Sequence, residues 1–203
     1  MPPVKLRRDL WLPLALMLSF ALTRIPGVLP LNFSAAYALA FCAGVYLPKR
    51  MAWWLPLSVL LLTDVLLNLF YYHASLISGY MLLQYVGYAL IIFLGRQFRA
   101  GSSCVALLAG GLLGAVIFYL LTNTAAWIQN PEYPKTLLGW IQALTTGLPG
   151  YPPTWTFFRN TLLSSGLFTG LFVGAMKMFD ARETEEETET EPAEEAEPEE
   201  SKA

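Results

Sequence analysis

The chain has 203 residues, of which 55% are hydrophobic and only 14% charged. An ordinary soluble domain has roughly 25% charged residues. Twelve of the 15 acidic residues fall between Asp180 and Ala203, so the formal charge of −2 conceals a body with 3 acids and 11 bases followed by an anionic tail. Three acids cannot give such a body a solvated charged coat, which excludes a soluble globule and indicates an integral membrane protein.

Six stretches reach or approach the roughly 20 apolar residues that a spanning helix needs. In chain order they are 10–25, 32–47, 53–72, 75–94, 105–128 and 155–179, joined into one domain over residues 1–179. Pro26, Gly27 and Pro30 separate the first two, because neither residue type continues a helix. No stretch alternates as a strand would, so the expected fold class is all-α: a six-helix transmembrane bundle. Lys5, Arg7 and Arg8 before the first apolar run imitate a signal peptide, but Ala21-Leu22-Thr23-Arg24 is a poor cleavage site and a retained helix is expected.

Between the fifth and sixth stretches lies an outer loop, 129–154, rich in Pro and Gly. Its run Thr136–Ile141 predicts a short interfacial helix, with Trp127, Trp140 and Trp155 at headgroup depth. The tail, 180–203, lacks residues that would nucleate a core and is expected to be disordered and cytoplasmic. Nine basic residues flank one set of helix ends (Lys5, Arg7, Arg8, Lys49, Arg50, Arg96, Arg99, Lys177 and Arg182) against three on the other (Arg24, Lys135 and Arg159). The positive-inside rule then puts both termini in the cytoplasm of a bacterial inner membrane.

Polar groups inside the spans are costly and usually mark a pair, a pathway or a binding site. At about 1.5 Å per residue, Asp64 lies about 16 Å and Arg24 about 21 Å from the cytoplasmic ends of their helices, a gap an arginine side chain can close. The pair either locks helices one and three together or contributes to ligand binding. Asn68 shares the face of Asp64 one turn on. Tyr80, Gln84 and Tyr88 form one i, i+4, i+8 stripe, and Tyr119, Asn123 and Trp127 another. With Asn32 and with Arg159 and Asn160, these groups gather in the outer half. The expected solute-binding set is therefore Arg24, Asn32, Asp64, Asn68, Gln84, Asn123, Trp127 and Asn160.

Three lines of small residues permit close helix approach: Gly166, Gly170 and Gly174; Ala36, Ala40 and Gly44; and Ala106, Gly110 and Gly114. Internal packing explains most such lines, but three exceed what six helices need, so one is expected to face a partner. The first two lines are the candidates. Cys42 and Cys104 are expected to be buried free thiols. With His73 the one histidine, no metal site is expected. No cofactor and no nucleic-acid partner is expected either.

Several segments together resemble a known family. They are Arg24-Ile25-Pro26 with Asn32-Phe33-Ser34-Ala35, Thr63-Asp64, Thr122-Asn123-Thr124-Ala125-Ala126-Trp127, Tyr133-Pro134-Lys135-Thr136-Leu137-Leu138-Gly139 and Phe157-Phe158-Arg159-Asn160-Thr161-Leu162. Over about residues 10–179 the chain resembles uncharacterised bacterial membrane proteins described as transport proteins. That family is similar in plan to the substrate-capture (S) components of energy-coupling factor transporters. The resemblance implies a subunit that takes a small nutrient from outside, working with a membrane coupling subunit and cytosolic ATPases. The chain has no G-x-x-x-x-G-K-[ST] phosphate loop of its own. Where S components often carry Ala-x-x-x-Ala on the first helix, this sequence has Ala15 and Ser19. The alternative is a membrane scaffold or assembly subunit in which the same polar residues only join helices. An intramembrane enzyme is the weakest reading, since Asp64 is the one acid in the spans and His73 lies near a loop.

Overall fold

A computed structural model describes residues 17–76 and 79–190, and those residues are all-helical with no strand. Helix α1 covers 17–23. It is followed by α2 (Ala36–Tyr46), α3 (Lys49–Leu67), α4 (Gly79–Gly95), α5 (Cys104–Gln129), α6 (Leu137–Leu144) and α7 (Thr154–Thr190). The basic N-terminal segment and Ala15 lie outside the described residues.

Helix α2 is the hub. It packs against α3, α4, α5 and α7, and every residue from Ala36 to Gly44 is buried. A helix that is apolar on all sides belongs inside a bundle, and this one is also thin, with Ala36, Ala38, Ala40, Ala43 and Gly44. Its closest approach is to α4. A Cβ added at Gly44 would sit 2.3 Å from the Ile92 carbonyl oxygen, and one added at Gly95 would sit 2.2 Å from that of Phe41. The two backbones touch directly, which only glycine permits.

The second expected stretch, 32–47, is correspondingly shorter as a helix. Asn32 takes a left-handed conformation (φ 61°), so the chain from 24 to 35 is an irregular loop and α2 begins only at Ala36. The N-terminus of α2 is tied back by the Thr23 hydroxyl, which accepts from the Ala35 N–H at 3.2 Å, while Ser34 Oγ accepts from Ala36 N–H. These contacts satisfy donors that every helix start leaves open.

Among the described residues, three helical stretches are long and apolar enough to cross a membrane: Lys49–Tyr72, Cys104–Gln129 and Thr154–Phe179. Ala36–Tyr46 and Gly79–Gly95 are apolar but shorter. The first of the three continues α3 as a π-helical segment, Asn68–Tyr72, which ends on His73 in a left-handed conformation (φ 48°). Large apolar side chains cover the outside of these helices: Trp54, Leu62 and Phe70 on α3, Val105 and Leu113 on α5, and Leu163, Leu167 and Leu171 on α7 are all exposed. This outward apolar surface fits a membrane protein.

Two expectations need correction. Helix α7 does not stop at 179 but continues through Thr190, into the segment expected to be a disordered tail. Glutamate is a good helix former, and extending an anchored helix costs no new nucleus. The last residues, 191–203, lie outside the description. Of the two cysteines, Cys42 is buried on α2, whereas Cys104 is exposed because it opens α5 directly after the Ser103 N-cap.

The lines of small residues also separate. Ala36 and Ala40 are buried and Gly44 meets α4, so this line is internal packing and not a docking face. Gly110 and Gly114 likewise face Phe41, Phe98 and Ile91. On α7, by contrast, Cβ atoms at Gly170 and Gly174 would meet nothing within 4 Å, and one at Gly166 only Leu112 at 3.5 Å.

Candidate functional site

At the end of the bundle where loop 24–35, the π-helical end of α3, the start of α4 and the end of α5 converge, there is an open cavity of about 930 Å³. The segment 130–154 and the first two turns of α7 close its remaining side.

The anchor of its wall is Asp64. Arg24, on the turn that ends α1, donates from Nη2 to Asp64 Oδ1, and Tyr85 on α4 donates its hydroxyl to Oδ2 at 2.9 Å. The side chains of Arg24 and Asp64 are 20% and 12% exposed, so the pair is largely but not fully withdrawn from solvent. The guanidinium also lies 5.8 Å from the centroid of the buried Phe20 ring. One carboxylate thereby joins α1, α3 and α4.

Six of the eight expected residues line the cavity: Arg24, Asn32, Asp64, Asn68, Gln84 and Asn123. Asn68 sits where α3 passes into the π-helical segment, and its carbonyl accepts from the N–H groups of His73 and Ala74. π-Helical turns recur at functional sites because they re-aim side chains. Asn123 Nδ2 donates to the Tyr119 carbonyl at 2.9 Å.

Trp127 and Asn160 are not among the lining residues. Trp127 Nε1 donates to the Pro134 carbonyl at 2.8 Å, and the Lys135 ammonium lies 5.9 Å from the tryptophan ring centroid, so this residue secures the loop that follows α5. Asn160 Nδ2 donates to the Leu31 carbonyl at 3.0 Å and ties α7 to loop 24–35. Both fasten the loops that frame the cavity.

The residues missed from sequence are mostly aromatic. Eight of the chain's ten tyrosines line the cavity: Tyr80, Tyr88 and Tyr119, which the four-residue stripes single out, and Tyr37, Tyr71, Tyr72, Tyr133 and Tyr151, which they do not. A ninth, Tyr85, reaches Asp64 from behind. Spacing by four along α4 picks out Tyr80, Gln84 and Tyr88 and passes over Tyr85. The signal that would have found the set is the crowding of tyrosines between 71 and 88 and in the loop at 133 and 151. At the loop edge, burial holds the Tyr133 phenol above its ordinary pKa; a hydrogen bond with Thr154 opposes the shift and the neighbouring Glu132 reinforces it.

The lining is nearly neutral. Its charged side chains are Arg24, Asp64 and Glu132, and the first two are paired. Among the described residues no group of three or more His, Cys, Asp or Glu side chains could hold a metal ion. The arrangement offers ring faces, amides and hydroxyls, which suits reversible binding of a small organic molecule.

Residues 4–188 match DUF6580, a family of unknown function, and the chain belongs to that family. No curated protein and no solved structure matches the chain.

Proposed function

We propose that this DUF6580 member captures a small solute from outside the cell and hands it on for import. It would sit in the bacterial inner membrane with six crossings and both termini in the cytoplasm. The single observation that carries the reading is the cavity of about 930 Å³, whose wall holds six of the eight expected polar residues. A scaffold that used these groups only as interhelical glue would have no reason to leave such a volume open, since close packing stabilises a bundle.

In this reading the three long apolar helices cross the membrane outright. Helices α2 and α4 complete their crossings through the irregular segments beside them, and non-helical backbone at membrane depth is tolerated where it lines a cavity. The resemblance to S components adds a membrane coupling subunit and cytosolic ATPases as partners. The open line Gly166, Gly170 and Gly174 is the face such a subunit would use.

The test is thermal unfolding of the purified protein in detergent, with and without the small-molecule filtrate of a bacterial extract. A bound solute stabilises the folded state by mass action, so a rise in melting temperature is expected. An unchanged melting temperature across all fractions favours the scaffold.

A further inference from the structure

The cavity lining is rich in tyrosine, and part of its polar capacity is taken up by the protein itself. Its floor is a packed trio of buried rings. Tyr37 and Tyr88 stack at 6.1 Å and 30°, and Phe118 lies 5.1 Å from Tyr37 and 4.8 Å from Tyr88. Its rim is a second group of tyrosines, Tyr71, Tyr72, Tyr80 and Tyr151, all exposed. Between floor and rim the hydrogen-bonding capacity is partly committed. Tyr119 Oη donates to the Leu144 carbonyl at 2.6 Å, Asn123 Nδ2 to the Tyr119 carbonyl, and Tyr37 bonds the Thr161 side chain. What remains on offer is the ring face of the exposed rim tyrosines, together with hydroxyl and amide groups that both donate and accept.

Charge narrows the choice further. Among the described residues the one cationic side chain in the lining, Arg24, is held by Asp64, and the remaining charged residue is Glu132. An anion entering here would shed its hydration without gaining a free cation. A neutral ring meets no such cost, and for a cationic ring the tyrosine faces and the Glu132 carboxylate offset it.

We propose, building on the capture reading, that the cavity's ligand class is a flat aromatic or heteroaromatic solute without an anionic group. Stacking on the rim tyrosines supplies affinity, and the lack of an unpaired cation among the described lining residues disfavours carboxylates and phosphates.

The experiment compares four probes on the purified full chain in detergent by titration calorimetry. Indole-3-acetamide, tryptamine and indole-3-acetate share one ring and are neutral, cationic and anionic; sorbitol is the aliphatic control. The first two are expected to bind, the acetate about tenfold more weakly or worse, and sorbitol not at all. Tyr80→Leu, at an exposed rim position, should weaken the two binders about tenfold, and Tyr80→Phe, which keeps the ring, should restore them. Acetate binding as tight as acetamide binding overturns the charge argument, and so does release of an anionic solute from the protein isolated from its host. Binding of sorbitol alone, or failure of all three indoles while the protein retains some host solute, overturns the aromatic class and leaves capture standing. If neither the probes nor any host solute binds, both readings fall.

Discussion

Tyr85 donates to Oδ2 of Asp64 at 2.9 Å, the carboxylate oxygen that Arg24 leaves open. The two residues are on different helices, and the arginine comes from a third segment. The carboxylate is therefore a structural joint as well as part of the cavity wall. A pair held this way is hard to break from one side, because the remaining charge is left in a poorly solvated place.

Arg24→Gln should therefore lower stability by about 2–3 kcal/mol, somewhat under the about 3–5 kcal/mol of a fully buried pair because both groups keep some solvent contact. Adding Asp64→Asn should recover about 1–2 kcal/mol, as expected for directly coupled neighbours. Tyr85→Phe should cost about 1.5 kcal/mol, the loss of one hydrogen bond to a charged group. Thermal unfolding in detergent of the wild type, Arg24→Gln, Asp64→Asn and the double variant measures the cycle, with Tyr85→Phe measured beside them. Strictly additive losses would mean that the two charges do not act together.

Glycines on different helices should respond in opposite ways. Gly44→Ala drives a methyl group into the Ile92 carbonyl and should cost more than about 2 kcal/mol or abolish folded protein. A Cβ added at Gly170 meets nothing within 4 Å, so Gly170→Leu, pointing outward, should change stability by less than about 0.5 kcal/mol. Melting temperatures of the two variants decide the point. If Gly170→Leu leaves melting and solute binding intact but abolishes uptake in cells, the open face of α7 docks a coupling subunit.

The cysteines report orientation. Cys104 is exposed at the start of α5 and Cys42 is buried on α2. With both termini in the cytoplasm, a membrane-impermeant maleimide should label Cys104 in inside-out vesicles and not in intact spheroplasts, and the Cys104→Ser variant should take no label in either. Labelling of spheroplasts would invert the proposed topology.

Much of this fold is legible from apolar segments alone, because length and composition dictate where a lipid-facing helix can lie. The Arg24–Asp64 pair is legible from rise per residue, since two opposite charges in a bilayer have few other partners. The short α6 is legible from its apolar run, and Thr136 caps it by accepting from the Gly139 N–H at 3.2 Å. The late start of α2 was hidden, because the left-handed turn at Asn32 depends on tertiary contacts such as Thr23 to Ala35. Tyr85 was hidden for a related reason: a residue one step off a four-residue stripe reaches the site only once the helix's rotation is fixed. Trp127 and Asn160 have the chemistry of ligand contacts, yet they are drawn to backbone carbonyls of loops that sequence spacing cannot place.

The most direct measurement is native mass spectrometry of the protein extracted gently from its host membrane, beside a Gln84→Leu/Asn123→Leu variant. Both altered residues line the cavity, and neither belongs to the Arg24–Asp64–Tyr85 joint. The account predicts a small-molecule adduct on the wild-type protein that is lost or sharply reduced in the folded variant. A wild-type protein that carries no adduct and acquires none from a small-molecule extract would contradict it. So would an adduct that survives unchanged in the variant, which would mean that the solute binds elsewhere.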